Sequence, residues 1–69
     1  MSLIRICVNG ESRHLRCGAT VAGLVEVLAL AGKRIAVERN GEIVPRSRYC
    51  EMTLEDGDTL EIVVAVGGG

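Results

Sequence analysis

The dipeptide Asn-Gly occurs twice, at 9–10 and at 40–41, each time between short segments in which apolar residues alternate with others. Asparagine and glycine both tolerate positive φ, so the pair favours the type I′ turn whose twist matches that of two antiparallel strands. Two hairpins are therefore expected. What lies between and after them must finish one sheet and cover it.

The first hairpin pairs LIRICV at 3–8 with ESRHLR at 11–16. Ile4, Ile6 and Val8 fall on one face, and Leu3, Arg5 and Cys7 on the other. The return strand is polar and suits a sheet edge or a strand with one face in water. The second hairpin pairs 35–39, where Ile35 and Val37 alternate with Ala36 and Glu38, with a short strand at 42–44. Pro45 ends it, because proline cannot donate to a ladder. LEDGD at 54–58 reads as a turn with Glu55, Asp56 and Asp58 solvated around Gly57, and TLEIVVAV as the last strand. Leu60, Ile62 and Val64 are expected inward, Glu61, Val63 and Ala65 outward.

Between the hairpins the period changes. Val21, Leu24, Val25 and Leu28 recur at i, i+3, i+4 and i+7, one stripe of a helix, with Thr20 placed as N-cap. The helix is expected to run for about ten residues to a stop at Gly32, with Lys33 and Arg34 near the negative end of its dipole. Gly23 inside it costs up to about 1 kcal/mol relative to alanine. Residues 46–53 show no firm period and have room for a single helical turn. One helix on one sheet makes an α+β roll.

Composition removes most functional classes. A chain of 69 residues is one small domain, which buries only about 60% of the surface its unfolded form exposes, with no room for both a core and an enclosed substrate cavity. Net charge is −1 and Tyr49 is the sole aromatic residue, so neither a basic surface nor stacking platforms point to nucleic acid. His14 is the only histidine, and Cys7, Cys17 and Cys50 form no C-x-x-C, so no metal or cofactor site is expected. The cysteines read as small reduced residues. Lys33, Arg34, Arg39, Arg46 and Arg48 read first as solvated surface and second as a basic patch. With no secretory pattern at its start and no membrane-length apolar run, the domain is expected to be cytoplasmic, with no membrane partner.

The chain ends in VVAVGGG. Ordering backbone costs about 1–2 kcal/mol per residue, and glycine loses the most freedom. Three terminal glycines bury no side chain in return, so the division expected is a folded domain at 1–66 and a flexible tail at 67–69. Either the tail is a frayed end without a role, or a partner reads it. A segment without side chains can thread a channel that any Cβ would block, and it delivers the α-carboxylate of Gly69 to chemistry in another protein. A carboxylate is a poor electrophile and needs activation, typically by ATP to an acyl adenylate that a nucleophile displaces. Val63, Ala65 and Val66 would leave apolar surface beside the tail, suited to docking.

ICVNGE at 6–11, TVAGLVEVL at 20–28, NGEIVPRSRY at 40–49, LEDGDTLEIV at 54–63 and the final VGGG together resemble the ThiS-type sulfur carriers of thiamin biosynthesis, in the ubiquitin-like β-grasp fold. The resemblance implies a mixed sheet grasping the helix, with the last strand parallel to the first. It implies that Gly69 is adenylated by a ThiF-like enzyme using MgATP. The product is then converted to a thiocarboxylate with sulfur from a cysteine desulfurase persulfide, and a ThiG-type thiazole synthase takes that sulfur. Gly68 and Gly69 match the family's ending, and Val66 and Gly67 lead into it. Many members end in two glycines, where this chain has three. The carrier would be a co-substrate without an active site or cofactor of its own. The alternatives are a MoaD-like small subunit of molybdopterin synthase, a ubiquitin-like protein modifier, and an interaction module whose tail has no role.

Overall fold

The computed structural model describes residues 2–65. Five strands form one sheet: β1 (Leu3–Val8), β2 (Glu11–Arg16), β3 (Ile35–Arg39), β4 (Glu42–Val44) and β5 (Thr59–Val64). The spatial order is β2-β1-β5-β3-β4. β1 and β5 run parallel, and the other neighbours are antiparallel. The sheet is therefore mixed, with the last strand inserted between the two hairpins and parallel to the first, as the resemblance implies. β2 is an edge, which suits its polar sequence.

Both hairpins close through Asn-Gly pairs with φ positive at each residue, 51° and 85° at Asn9 and Gly10, 51° and 87° at Asn40 and Gly41. These are the two positive φ angles of a type I′ turn. The single helix α1 (Val21–Val27) starts on Thr20, whose hydroxyl accepts from the Gly23 amide at 3.2 Å. That bond satisfies one of the four amides a helix start leaves open. Ile4, Ile6 and Val8 from β1, Val21, Leu24 and Val25 from α1, Val37, Val44, Leu60 and Ile62 form the core, with Tyr49 and Leu54 from the connection between β4 and β5. A 3-10 turn at Arg46–Arg48 follows β4.

The helix is shorter than its periodicity suggests, seven residues with no basic residue in its last turn. It stops at Leu28 because Ala29 turns left-handed, at φ 60°. The Ala29 amide then donates to the Glu26 carbonyl and the Leu30 amide to the Val25 carbonyl, each at 3.0 Å. This is a Schellman closure, with Leu30 returning to the core edge in the manner of its usual apolar contact. Glycine normally holds that left-handed position, which is why the pattern points to Gly32, and Lys33 and Arg34 lie beyond the dipole's last turn.

One consequence is a pair of opposite substitutions with the same sign. Ala29→Gly removes a left-handed alanine, whose strain is about 1 kcal/mol or more. Gly23→Ala adds a Cβ that meets only the Thr20 hydroxyl, at an ordinary 3.6 Å. Each is expected to raise stability by about 0.5–1 kcal/mol, read as a higher denaturant midpoint at unchanged slope.

Candidate functional site

The chemistry expected of this chain lies at the far end of β5, so what fixes that strand fixes the site. β1 reaches only to Val8, paired with Leu60, whereas β3 accompanies β5 as far as Ile35 opposite Val64. The outer half of β5 thus lacks a strand on one side. Asn9 supplies the missing rung: its side-chain amide donates to the Ile62 carbonyl at 3.1 Å, and its oxygen accepts from the Ile62 amide at 2.8 Å. The Asn9 backbone amide also donates to the Leu60 carbonyl at 3.0 Å.

Asn40, in the second turn, holds the other end of β5. Its backbone amide donates to the Thr59 carbonyl at 2.7 Å and its side-chain oxygen accepts from the Thr59 amide at 2.9 Å. The two turn asparagines therefore grip the central strand from opposite sides. In the sequence both stand only as turn residues. The only signal in the sequence was that asparagine, rather than glycine or aspartate, stands at both first turn positions.

Asn9→Gly separates the two roles of this residue, because glycine keeps the positive φ and loses the amide. Two hydrogen bonds at about 0.5–1.5 kcal/mol each give an expected cost of about 1–3 kcal/mol. The Ile62 amide should lose its protection from hydrogen exchange ahead of the rest of the sheet. Equal protection in both proteins would contradict the assignment.

Beneath the start of β5 sits Asp58, read from sequence as a solvated turn residue and in fact buried, at 6% exposure. One carboxylate oxygen accepts from Arg39 Nε at 2.9 Å and from the Glu55 amide at 2.8 Å, and the other from the Asn40 side chain at 3.0 Å. Burial alone would raise its pKa. The Glu55 amide, Asn40 and Arg39 together outweigh that and hold the carboxyl below its ordinary value. Arg39 is accordingly committed inward, donating also to Met52 Sδ at 2.9 Å, and does not join a surface basic patch. Glu55 and Asp56 are exposed as expected, although Asp56 accepts from the Arg5 amide at 2.8 Å.

Past Ile62 the core has run out under β5. Leu60 and Ile62 are buried, but Val64, expected inward, is 38% exposed, because neither β1 nor α1 reaches that far. Val63 is 64% exposed and Ala65 is exposed as well. Both border a depression shared with Arg34, Ile35, Ala36 and Arg46. Val66, Gly67, Gly68 and Gly69 lie outside the described residues. Cys17 and Cys50 are exposed and Cys7 half-buried, all as free thiols; His14 is exposed. Among the described residues no group of histidine, cysteine and carboxylate side chains is arranged to hold a metal ion, and no helix is long and apolar enough to cross a membrane.

Residues 5–69 match the model of the ThiS family. Over 66 residues, 96% of this chain, the sequence is 44% identical to a thiazole synthase of Paramagnetospirillum magneticum, of which the match spans only 20%. It is 46% identical over 50 residues to the sulfur carrier protein ThiS of Bacillus subtilis, covering 72% of this chain and 76% of that one. The crystal structure of a thiamine biosynthesis protein (ThiS) from Geobacter metallireducens superposes with a TM-score of 0.80 at 30% identity, covering 96% of this chain and 100% of that one.

Proposed function

The chain belongs to the ThiS family, the β-grasp sulfur carriers of thiamin biosynthesis, and from that premise we propose that it carries sulfur as a thiocarboxylate on the α-carboxyl group of Gly69. A ThiF-like enzyme supplies MgATP and adenylates the carboxylate, which expels pyrophosphate and makes AMP the leaving group. The terminal sulfur of a cysteine desulfurase persulfide then attacks the adenylate and expels AMP, a thiol reductant cleaves the resulting acyl disulfide to leave the thiocarboxylate, and a ThiG-like thiazole synthase consumes it. Gly67 and Gly68 thread the partners' channels as a tail at 67–69 beyond a folded domain at 1–66. Val63, Ala65 and Val66 belong to the docking face, and the chain works in the cytoplasm as a co-substrate with neither an active site nor a cofactor of its own.

The observation that carries this reading is the pairing of a family match reaching residue 69 with a β5 pinned on both sides up to Ile62. A rigid base and a side-chain-free ending suit delivery of one carboxylate to a distant centre. Partnership with a thiazole synthase draws support from the relatives of that name. Their match to this chain spans about a fifth of their length, as expected if carrier and synthase can share one polypeptide.

The test is the intact mass of the chain after incubation with the adenylating enzyme, MgATP and a sulfide source. Replacement of one oxygen by sulfur, located to Gly69 by fragmentation, is the expected result. An unchanged mass, under conditions in which the same enzyme loads a known carrier, would overturn the proposal.

A further inference from the structure

Two depressions meet at Ile35 and Arg46. The first, of about 300 Å³, opens between the end of α1 and the turn after β4, over Val25, Leu30 and the buried Tyr49. The second runs from β3 to the end of β5, past Ala36, Val63 and Ala65. Side by side across that shared rim, the first on the helix side of the sheet and the second beside outward-facing Ala36 and Val63, they make up a trough that leads from the helix end to the last described residues of β5. The first depression is at the bottom of the size range for ligand sites and suits one large side chain.

Its rim is cationic. Lys33 borders the first depression, Arg34 the second and Arg46 both. Arg46 Nη2 donates to the Lys33 carbonyl at 3.3 Å, which holds the guanidinium over the junction. The ion pairs of the described residues are made by Arg39 and Arg48. Lys33, Arg34 and Arg46 have no carboxylate within ion-pair distance among those residues, and Glu26 stands at the helix end of the first depression. In a chain of net charge −1, three unneutralised cations around an apolar floor make a local field opposite in sign to the whole.

We propose that this trough receives a segment of the thiazole synthase in which an aliphatic or aromatic side chain stands beside one or more carboxylates. The apolar side chain fills the depression over Leu30 and Ile35, and the carboxylates meet Lys33, Arg34 and Arg46. The charges steer the encounter and set its register, and the buried side chain slows its dissociation. Because the trough ends at β5, a segment seated in it orients the strand from which the tail departs. The inference rests on the sulfur-carrier reading and adds the surface and the kind of segment that it grips.

The test compares the Kd of the full chain for the thiazole synthase of the same organism, at low and high salt, among three proteins. These are the wild type, the double variant Lys33→Glu with Arg46→Glu, and a control, Arg5→Glu with Arg16→Glu, on the distant β1–β2 side. All four positions are exposed, so each variant should fold, which circular dichroism checks. The trough variant is expected to raise Kd at least tenfold and to lose most of the salt dependence, while the control binds as wild type. Added synthase should broaden the methyl resonances of Leu30 and Ile35. Equal affinity of the trough variant and wild type, or broadening confined to Leu3 and Ile43 on the outer sheet face, overturns the trough. No affinity for the synthase also overturns it, and the separate mass gain at Gly69 decides whether the carrier reading falls with it.

Discussion

Deleting Gly69 alone is expected to abolish sulfur loading and to leave the unfolding midpoint where it was. The deleted chain still ends in a glycine carboxylate, so the reacting group is chemically the same. It is only displaced, by up to about 3.5 Å along an extended chain. Attack geometry requires reacting atoms about 3–3.5 Å apart, and a misplacement of about 1 Å can cost about 100-fold. A loss of at least 100-fold in thiocarboxylate formation is therefore expected, against no measurable loss of stability, because the core closes with Leu60 and Ile62. Adding a glycine after Gly69 should cost as much. A deletion variant that loads at the wild-type rate would remove the terminal carboxylate from the mechanism.

The second large effect concerns stability. Asp58→Ala leaves Arg39, itself 19% exposed along its side chain, without its main anion, and orphans the Glu55 amide and the Asn40 side chain. Breaking a buried ion pair costs roughly 3–5 kcal/mol, and the partial exposure of Arg39 favours the lower end. About 3 kcal/mol is a large share of what a domain this small possesses. The denaturant midpoint should fall by a third or more at nearly unchanged slope.

The same carboxylate carries a pH dependence whose sign is determined. Its pKa is lower folded than unfolded, so it contributes stability above the ordinary carboxylate pKa of about 3.9, and that contribution fades as pH falls through the folded value. Wild-type stability should therefore drop below about pH 4 by a component that Asp58→Asn lacks. A difference between the two proteins that stays constant from neutral pH to strong acid would show that charge is not what Asp58 contributes.

Much of this fold was legible in the residues. Alternation located β1, β3 and β5, the two Asn-Gly turns placed β2 and β4 as their return strands, and Thr20 marked the helix start through a hydroxyl that does cap it. The errors share a physical origin. Ala29 took a conformation that local propensity assigns to glycine, because the Schellman bonds and the return of Leu30 to the core outweigh its strain. Asp58 and Arg39 lie 19 residues apart, a pairing that only the insertion of β5 beside β3 creates. Val64 kept the alternation but lost its cover, since no periodicity reports where a neighbouring strand ends. The site was legible to a different degree. Val63 and Ala65 were placed outward correctly, whereas the cations of the trough were visible only as scattered charges. Lys33, Arg34 and Arg46 become neighbours when the 3-10 turn folds back beside the start of β3.

The central position of β5 also bears on how the molecule comes into being. The two hairpins emerge from the ribosome first, yet they do not touch as neighbours in the sheet. The strand that joins them is the last of the five to be synthesised, and its contacts span more than 50 residues, from Asn9 to Leu60 and Ile62. Such long closures raise contact order and slow folding relative to helical domains of equal size. The nascent chain must therefore wait, with two half-sheets and an uncovered helix, until residue 64 is free. No partly folded species can then present a firmly mounted β5, because the step that mounts it is the step that completes the sheet.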